Sequence, residues 1–268
     1  MDNLNDKIKQ AIKLLQVCQP TDQPYELCYS GGKDSDVILQ LAKMANINYR
    51  AIYKNTTIDP PLTIQHAKAN GVEIVTPEKN FFQLIEKKGM PSRWRRWCCK
   101  YFKEFKILDN QILGIRRYES VKRAERYKEP VVCRLYNKKD HVNQILPILD
   151  WTDLDVEKFI EKYNIKCHPL YYKDGKFDVK KRLGCIGCPL AARRKKIEQY
   201  KDYPGILNKQ LQSLNVYLKI RTDKDFKNEY EFMFFTIFCD NLQQFYSYKN
   251  SLFEFDFEKE IKNYFNIR

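Results

Sequence analysis

Two groups of residues in this sequence have the types and spacing to do chemistry. The first is Ser30-Gly31-Gly32-Lys33-Asp34-Ser35. The glycines let the backbone turn tightly and approach a ligand closely. Ser30 and Ser35 add hydroxyls, and Lys33 adds a positive charge. A helical apolar period then runs through Val37, Ile38, Leu41 and Ala42. That helix aims its unpaired N–H groups and positive dipole end back into the turn. Every component favours an anion such as pyrophosphate. The pattern is not a Walker A loop, which needs four residues between its glycines and a terminal Gly-Lys-Ser/Thr. The plainer alternative is a glycine turn with a helix cap at Asp34 or Ser35.

The second group comes from the nine cysteines. Cys98 and Cys99 are adjacent, and Cys185 and Cys188 form C-x-x-C, whereas Cys18, Cys28, Cys133, Cys167 and Cys239 are isolated. In a reducing compartment, grouped cysteines point to metal or redox chemistry rather than disulfides. Two thiolate pairs can ligate zinc or an iron–sulfur cluster. Adjacent cysteines suit tetrahedral zinc poorly, whereas a cubane offers a separate iron corner to each. Arg93, Arg95, Arg96, Lys100 and Lys103 flank the first pair. Lys180, Lys181, Arg182, Arg193, Arg194, Lys195 and Lys196 flank the second. Such cations stabilise a negative cluster; they equally suit phosphates or plain solvation.

These groups need a scaffold, and the chain supplies one. Its 268 residues, 43% hydrophobic, suffice for one large domain or one domain with an appendage. The densest apolar stretch, Phe232 to Cys239, is far too short for a membrane span. The polar start MDNLNDKIKQ has no signal-peptide core, so a cytoplasmic location without membrane association is expected. Lys and Arg number 48 against 34 Asp and Glu, a net charge of +14, which attracts nucleotides, nucleic acid or acidic protein.

Leu4, Ile8, Ala11, Ile12 and Leu15 predict an amphipathic first helix. Strands are predicted over 25–29, 48–53, 72–75 and 111–115. Helices are predicted after Ser35, over 60–70 with prolines in its first turn, and over 81–87. This alternation implies an α/β fold, a parallel sheet with helices on both faces. Residues 131–136 and 142–149 read as two more strands. Thr152 opens a helix with Asp155 three residues on, close to a capping box. Tyr203-Pro204-Gly205 marks a break. An aromatic helical tail follows, with Tyr230, Phe234, Phe238 and Phe245 as packing residues and Cys239 buried among them. The expected organisation is a domain over 1–204 and a helical extension over 205–268.

The loop resembles the S-G-G-x-D-S loop of the adenine nucleotide alpha-hydrolase (PP-loop ATP pyrophosphatase) superfamily, of HUP-like fold. The cysteine pattern resembles the [4Fe-4S] ligand set of assimilatory adenylyl-sulfate reductases. As a whole, residues 25 to 205 resemble the phosphoadenosine phosphosulfate (PAPS) reductase family. The resemblance rests on YSGGKDS, TTIDPP, KKGMPSRWRRWCCKYFKE, GIRRYES, PILDWTD and RLGCIGCPL, in that order.

The resemblance implies that Ser30, Gly31, Gly32, Lys33, Asp34 and Ser35 bind the phosphates of ATP, with Mg²⁺. Tyr53 and Asn55 would lie near adenine or ribose. Gly114, Arg116 and Arg117 would close over the nucleotide, with Arg116 on a phosphate. Lys33, Asp34 and Arg116 would be catalytic. Asp59 and Glu119 would hold magnesium or orient an arginine. Cys98, Cys99, Cys185 and Cys188 would ligate the cluster. Two departures stand out. The Glu-Cys-Gly-Ile/Leu-His motif that carries the reductases' nucleophile is absent, and the loop has the intact form typical of ATP-using members. Both move the expectation toward an ATP pyrophosphatase-type sulfurtransferase resembling the subunit of DNA phosphorothioation systems. Its sulfur donor would be a cysteine desulfurase and its acceptor DNA or tRNA; a homo-oligomer is compatible. A sulfonucleotide reductase making sulfite and a non-catalytic, nucleotide- and cluster-binding sensor or defence subunit are the alternatives.

Overall fold

A computed structural model describes residues 4–136, 141–221, 223–251 and 255–267. The helices are α1 (Leu4–Val17), α2 (Lys33–Ala45), α3 (Thr63–Ala69), α4 (Phe81–Lys88), α5 (Trp97–Phe102), α6 (Val121–Arg126), α7 (Asp153–Lys162), α8 (Arg193–Asp202), α9 (Pro204–Ile220), α10 (Glu229–Phe238), α11 (Leu242–Lys249) and α12 (Phe257–Phe265). The strands are β1 (Tyr25–Tyr29), β2 (Tyr49–Lys54), β3 (Glu73–Val75), β4 (Asn110–Ile112), β5 (Val131–Leu135), β6 (His141–Ile145) and the short hairpin β7 (Tyr172–Lys173) and β8 (Lys176–Phe177). The chain forms two compact units. One comprises Met1–Asn55, Pro60–Thr76 and Phe102–Gly184; the other comprises Thr56–Asp59, Pro77–Tyr101 and Cys185–Arg268.

The first unit holds a six-stranded sheet in the order β3-β2-β1-β4-β6-β5. β1 lies parallel to β2, with Tyr25 opposite Tyr49 and Tyr29 opposite Tyr53. β4 is parallel to both β1 and β6. β5 departs from the expected parallel sheet by running antiparallel to β6. The link from Leu135 to His141 is too short for a crossover, so the two strands can only form a hairpin. The core sits between β1 and the helices beside it, where Leu27, Ile38, Leu41 and Ala42 are fully buried. Helix α1 buries Ile8, Ala11 and Leu15 on one stripe, as its spacing predicts. Glu26 of β1 is also fully buried. It meets Lys54 Nζ at 2.7 Å and accepts the N–H groups of Ile107 and Leu108.

α3 begins at Thr63, later than its sequence suggests. Leu62 takes a left-handed φ of 69°, so Pro60 and Pro61 lie in the turn ahead of the helix, not in its first turn. α7 opens with the expected capping box. Thr152 Oγ1 accepts from Asp155 N at 3.2 Å, and Asp155 Oδ2 accepts from Thr152 N at 2.7 Å.

The second unit is helical. α4 and α9 pack together, and α10 packs on α9 and α12. The break at Tyr203 separates α8 from α9, with Pro204 in the first turn of α9. Phe234 and Phe245 are buried, whereas Tyr230 and Phe238 are half-buried. Cys239 is not the buried helical residue expected. It caps the C-terminus of α10 and is half-buried, because the helix ends one residue before it.

Candidate functional site

β1 lies between β2 and β4, so the strand order reverses direction at β1. In open α/β sheets this switch point leaves a crevice at the strands' carboxyl ends. The loop from Ser30 to Ser35 leaves β1 at that end. Gly31 takes φ 75°, which an L side chain rarely adopts, and an added Cβ would lie 2.7 Å from Thr63 Cγ2. Gly32 caps α2 in extended geometry with no side-chain cap bond. Ser30 Oγ instead accepts the Gly32 N–H (3.4 Å), and Ser35 Oγ donates to Gly32 O (2.6 Å). The plainer alternative, a helix cap at Asp34 or Ser35, is not formed. The N–H groups of Lys33 and Asp34, the first of α2, have no intrahelical acceptor, whereas those of Ser35 and Asp36 donate to Gly32 O.

A cleft of about 250 Å³ opens here. Its lining includes Ser30, Gly32, Lys33, Asp34, Ser35 and Gly114, together with Glu119, Arg123, Tyr171 and Arg182. Lys33 is buried. Its Nζ lies 3.5 Å from Asp34 Oδ2 and donates to Lys181 O at 3.2 Å. Burial pulls the Lys33 pKa down from its ordinary value; Asp34 opposes that and Arg116 adds to it. A bound polyanion would hold this ammonium charged. Arg123 pairs with Glu119, and Arg182 Nη2 donates to Glu119 O at 2.8 Å. Glu119 thus meets Arg123 with its carboxylate and Arg182 with its backbone carbonyl. Lys33, Arg123, Arg182 and the α2 dipole together make a cationic cleft despite Asp34 and Glu119.

Arg116 reaches the site differently from the expectation of a phosphate contact. It is 1% exposed. Nε donates to Asp34 Oδ1 at 2.7 Å, Nη2 to Asp153 Oδ1 at 2.8 Å and Nη1 to Trp151 O at 3.4 Å. Each guanidinium nitrogen has a protein partner, and the Nε bond lets Arg116 position Asp34. Arg117 points elsewhere. Its Nη1 donates to Asp150 at 2.5 Å, and its Nε and Nη2 donate to Tyr127 O and Lys128 O. Tyr53 is buried in the core, and Asn55 N donates to Val75 O just beyond β2; neither lines the cleft. Asp59 belongs to the second unit and accepts the Thr56 N–H at 3.4 Å. Arg123 was not singled out in the sequence, and Arg182 appeared there only as a cation beside the second cysteine pair.

All four grouped cysteines lie in the second unit, and all are half-buried. Cys98 and Cys99 ride on α5. Cys185 and Cys188 close a turn, with Cys188 N donating to Cys185 O at 3.3 Å and Gly187 in the left-handed region. The Cys98 thiol is pushed far up in pKa by its hydrogen bond with Cys99, by burial, and by the charges of Cys99, Cys185 and Cys188. Cys98 therefore feels the charge of the other three thiols. Among the described residues, however, no three His, Cys, Asp or Glu side chains are grouped to hold one metal ion. Cys239, beside this group in neither sequence nor role, has its thiol pushed up to about 11 by burial.

Residues 24–191 match the phosphoadenosine phosphosulfate reductase domain. The chain is 31% identical over 211 residues to the uncharacterized protein MJ0973 of Methanocaldococcus jannaschii, covering 74% of this chain and 49% of that one. It is 28% identical over 203 residues to MJ0066 of the same organism, covering 70% and 40%. The chain thus spans half or less of the length of these relatives. Two solved structures are similar. The phosphoadenylyl-sulfate reductase of Candida auris, a phosphate complex, has TM-score 0.47 and 15% identity, over 68% of this chain and 93% of that one. The U34-tRNA thiolase NcsA of Methanococcus maripaludis, with its [4Fe-4S] cluster, has TM-score 0.39 and 17% identity, over 81% and 80%. Among the described residues no helix is long and apolar enough to cross a membrane.

Proposed function

The chain belongs to the phosphoadenosine phosphosulfate reductase domain family, and from that premise we propose that it is an ATP pyrophosphatase-type sulfurtransferase. The observation that carries this reading is the intact Ser30–Ser35 loop at the sheet's switch point, with buried Lys33 and the α2 N-terminus facing a cationic cleft. The loop N–H groups and the Ser30 and Ser35 hydroxyls hold the outer phosphates of ATP. Lys33, Arg123 and Arg182 balance their charge. Arg116 holds Asp34 at the mouth of the loop through Oδ1, and Asp34 Oδ2, now 3.5 Å from Lys33 Nζ, would be the carboxylate oxygen that meets Mg²⁺. That metal, when bound, neutralises phosphate charge.

An acceptor oxygen attacks the α-phosphorus, its bond to the β-phosphate bridging oxygen breaks, and pyrophosphate leaves. Lys33 and the α2 dipole stabilise the negative charge that grows on the leaving group. The terminal sulfur of a persulfide supplied by a cysteine desulfurase then attacks the adenylylated centre, the bond from that centre to the AMP oxygen breaks, AMP leaves, and a thiol reductant cleaves the remaining S–S bond to leave the sulfur on the acceptor. Cys98, Cys99, Cys185 and Cys188 would hold a [4Fe-4S] cluster with a thiolate on each iron, and such a centre would supply one-electron transfer. The net charge of +14 favours a nucleic-acid acceptor, DNA or tRNA.

The reductase alternative needs a reactive thiol outside the cluster set. Cys239 has its pKa raised by burial, the opposite of an activated nucleophile. The test is a titration of ATP and Mg²⁺ into the wild-type chain and its Lys33→Ala variant, with product analysis. Binding followed by AMP formation supports the enzyme; binding without turnover on any acceptor favours the sensor; no binding removes the reading.

A further inference from the structure

Residues 92–95 of the second unit form a tight turn closed from both ends. Ser92 N donates to Arg95 O at 3.2 Å, and Arg95 N donates to Ser92 Oγ at 3.0 Å. Arg93 and Trp94 therefore stand at its tip. Trp94 is 98% exposed. Its neighbour three residues on shows the contrast. Trp97 is buried, donates Nε1–H to Gly89 O at 3.2 Å and packs on Phe81 at 5.3 Å between ring centroids. Arg93 Nε donates to Pro189 O at 3.3 Å, which ties the turn to the loop carrying Cys185 and Cys188. The base of the turn is thus anchored on both sides while the Trp94 indole is left in water.

An indole this exposed is unusual in a folded chain, since tryptophan is highly buried on average. Its setting narrows what covers it. Arg95 and Arg96 are exposed, and neither pairs with an acid among the described residues. An aromatic face flanked by free guanidinium groups matches the unpaired nucleotide: the base stacks on the ring and the adjoining phosphates meet the arginines. A protein partner's apolar pocket would call for apolar neighbours around the ring, and the flanking residues are cations instead.

We propose that the Trp94 turn is a stacking platform for an unpaired base of a single-stranded nucleic-acid segment, with Arg95 and Arg96 on its phosphates. The proposal rests on the reading of the acceptor as nucleic acid and assigns the residues that grip it. It is tested by fluorescence anisotropy with labelled homopolymer strands, RNA in one arm and DNA in another, and with a duplex of equal length. Trp94→Ala should weaken single-strand binding by about 5- to 150-fold, and Trp94→Phe should keep most of it. Replacing both Arg95 and Arg96 with Gln should make the slope of log affinity against log salt shallower by about 1.4.

Wild-type affinity in Trp94→Ala would overturn the proposal. So would an equal loss on duplex, or displacement of the strand by polyglutamate at matched charge. Calorimetry of ATP with the wild-type chain separates the two readings. ATP binding without strand binding removes the platform alone; Trp94-dependent strand binding without ATP binding removes the enzyme alone.

Discussion

Replacing Gly114 with Ala probes the contact that sets the loop in place. An added Cβ at Gly114 would lie 2.8 Å from Asp34 O, 3.0 Å from Asp34 C and 3.2 Å from Asp34 Cβ. Ordinary contact begins near 3.4 Å, so the loop and the end of β4 must separate by 0.6 Å (3.4 − 2.8). The first two clashes are with backbone, which no rotamer change can relieve. Gly114 has no left-handed φ, so the effect of Ala is steric and not conformational. Overpacking of this kind costs about 1–3 kcal/mol. The same displacement moves Asp34 and the loop N–H groups proposed to hold phosphate. A shift of that size should weaken ATP binding on the order of tenfold or more, given that about 1 Å can cost a hundredfold in function. Gly205→Ala is the control. Nothing lies within 4 Å of its added Cβ, and it sits in the first turn of α9. It should be neutral or stabilising by about 0.4–1 kcal/mol. Urea unfolding and calorimetric titration with ATP and Mg²⁺ give both numbers. A Gly114→Ala variant with wild-type midpoint and wild-type ATP affinity would refute the placement of the loop against β4.

Arg116→Met should destabilise the first unit by roughly 3–5 kcal/mol, because it leaves the partly buried Asp34 without its guanidinium partner; Arg116→Lys should recover only part of this, since an ammonium cannot span Asp34, Asp153 and Trp151 O together. Urea midpoints of both variants measure it. Burial alone would raise the Glu26 pKa, but Lys54 and the N–H groups of Ile107 and Leu108 outweigh it and hold the carboxyl below its ordinary value. That stabilisation is complete above about pH 4.3 and is lost as pH falls through the depressed folded value, so Glu26→Gln should show a shallower acid loss of stability over that range. Anaerobically purified protein should carry about four iron atoms per chain with matching sulfide. Cys185→Ser or Cys188→Ser should abolish the brown colour, since a hydroxyl is a poor ligand for soft metal; stoichiometric zinc without sulfide would exclude the cluster. Lys33→Ala should lower turnover more than ATP affinity, because charge on the departing pyrophosphate grows in the transition state.

The strand–turn–helix around Ser30–Ser35 was legible because it is local: the apolar strand, the glycines and the helical period adjoin one another. The remainder of the cleft was not, because it depends on pairing between distant strands. Arg116 and Arg117 look alike in sequence, and only the position of Asp34, Asp153 and Asp150 gives one to the loop and the other to Asp150 and the backbone at Tyr127 and Lys128. Arg123 had no signal beyond a basic run; its role exists because β4 returns beside β1. The direction of β5 follows from a short link, which could have been weighed in the sequence. The start of α3 could not, because it turns on the left-handed backbone of Leu62. Trp94 and Trp97 share a motif, and burial alone tells them apart.

The central claim is that ATP is cleaved between its α and β phosphates at this loop. The direct measurement is to incubate the anaerobic protein with α-labelled ATP, Mg²⁺, a sulfide source and single-stranded nucleic acid, and to resolve the products. AMP and pyrophosphate, lost together in Lys33→Ala, are the result expected. ADP and phosphate, or sulfite formed from adenylyl sulfate with a thioredoxin as reductant and no ATP cleavage, would contradict it.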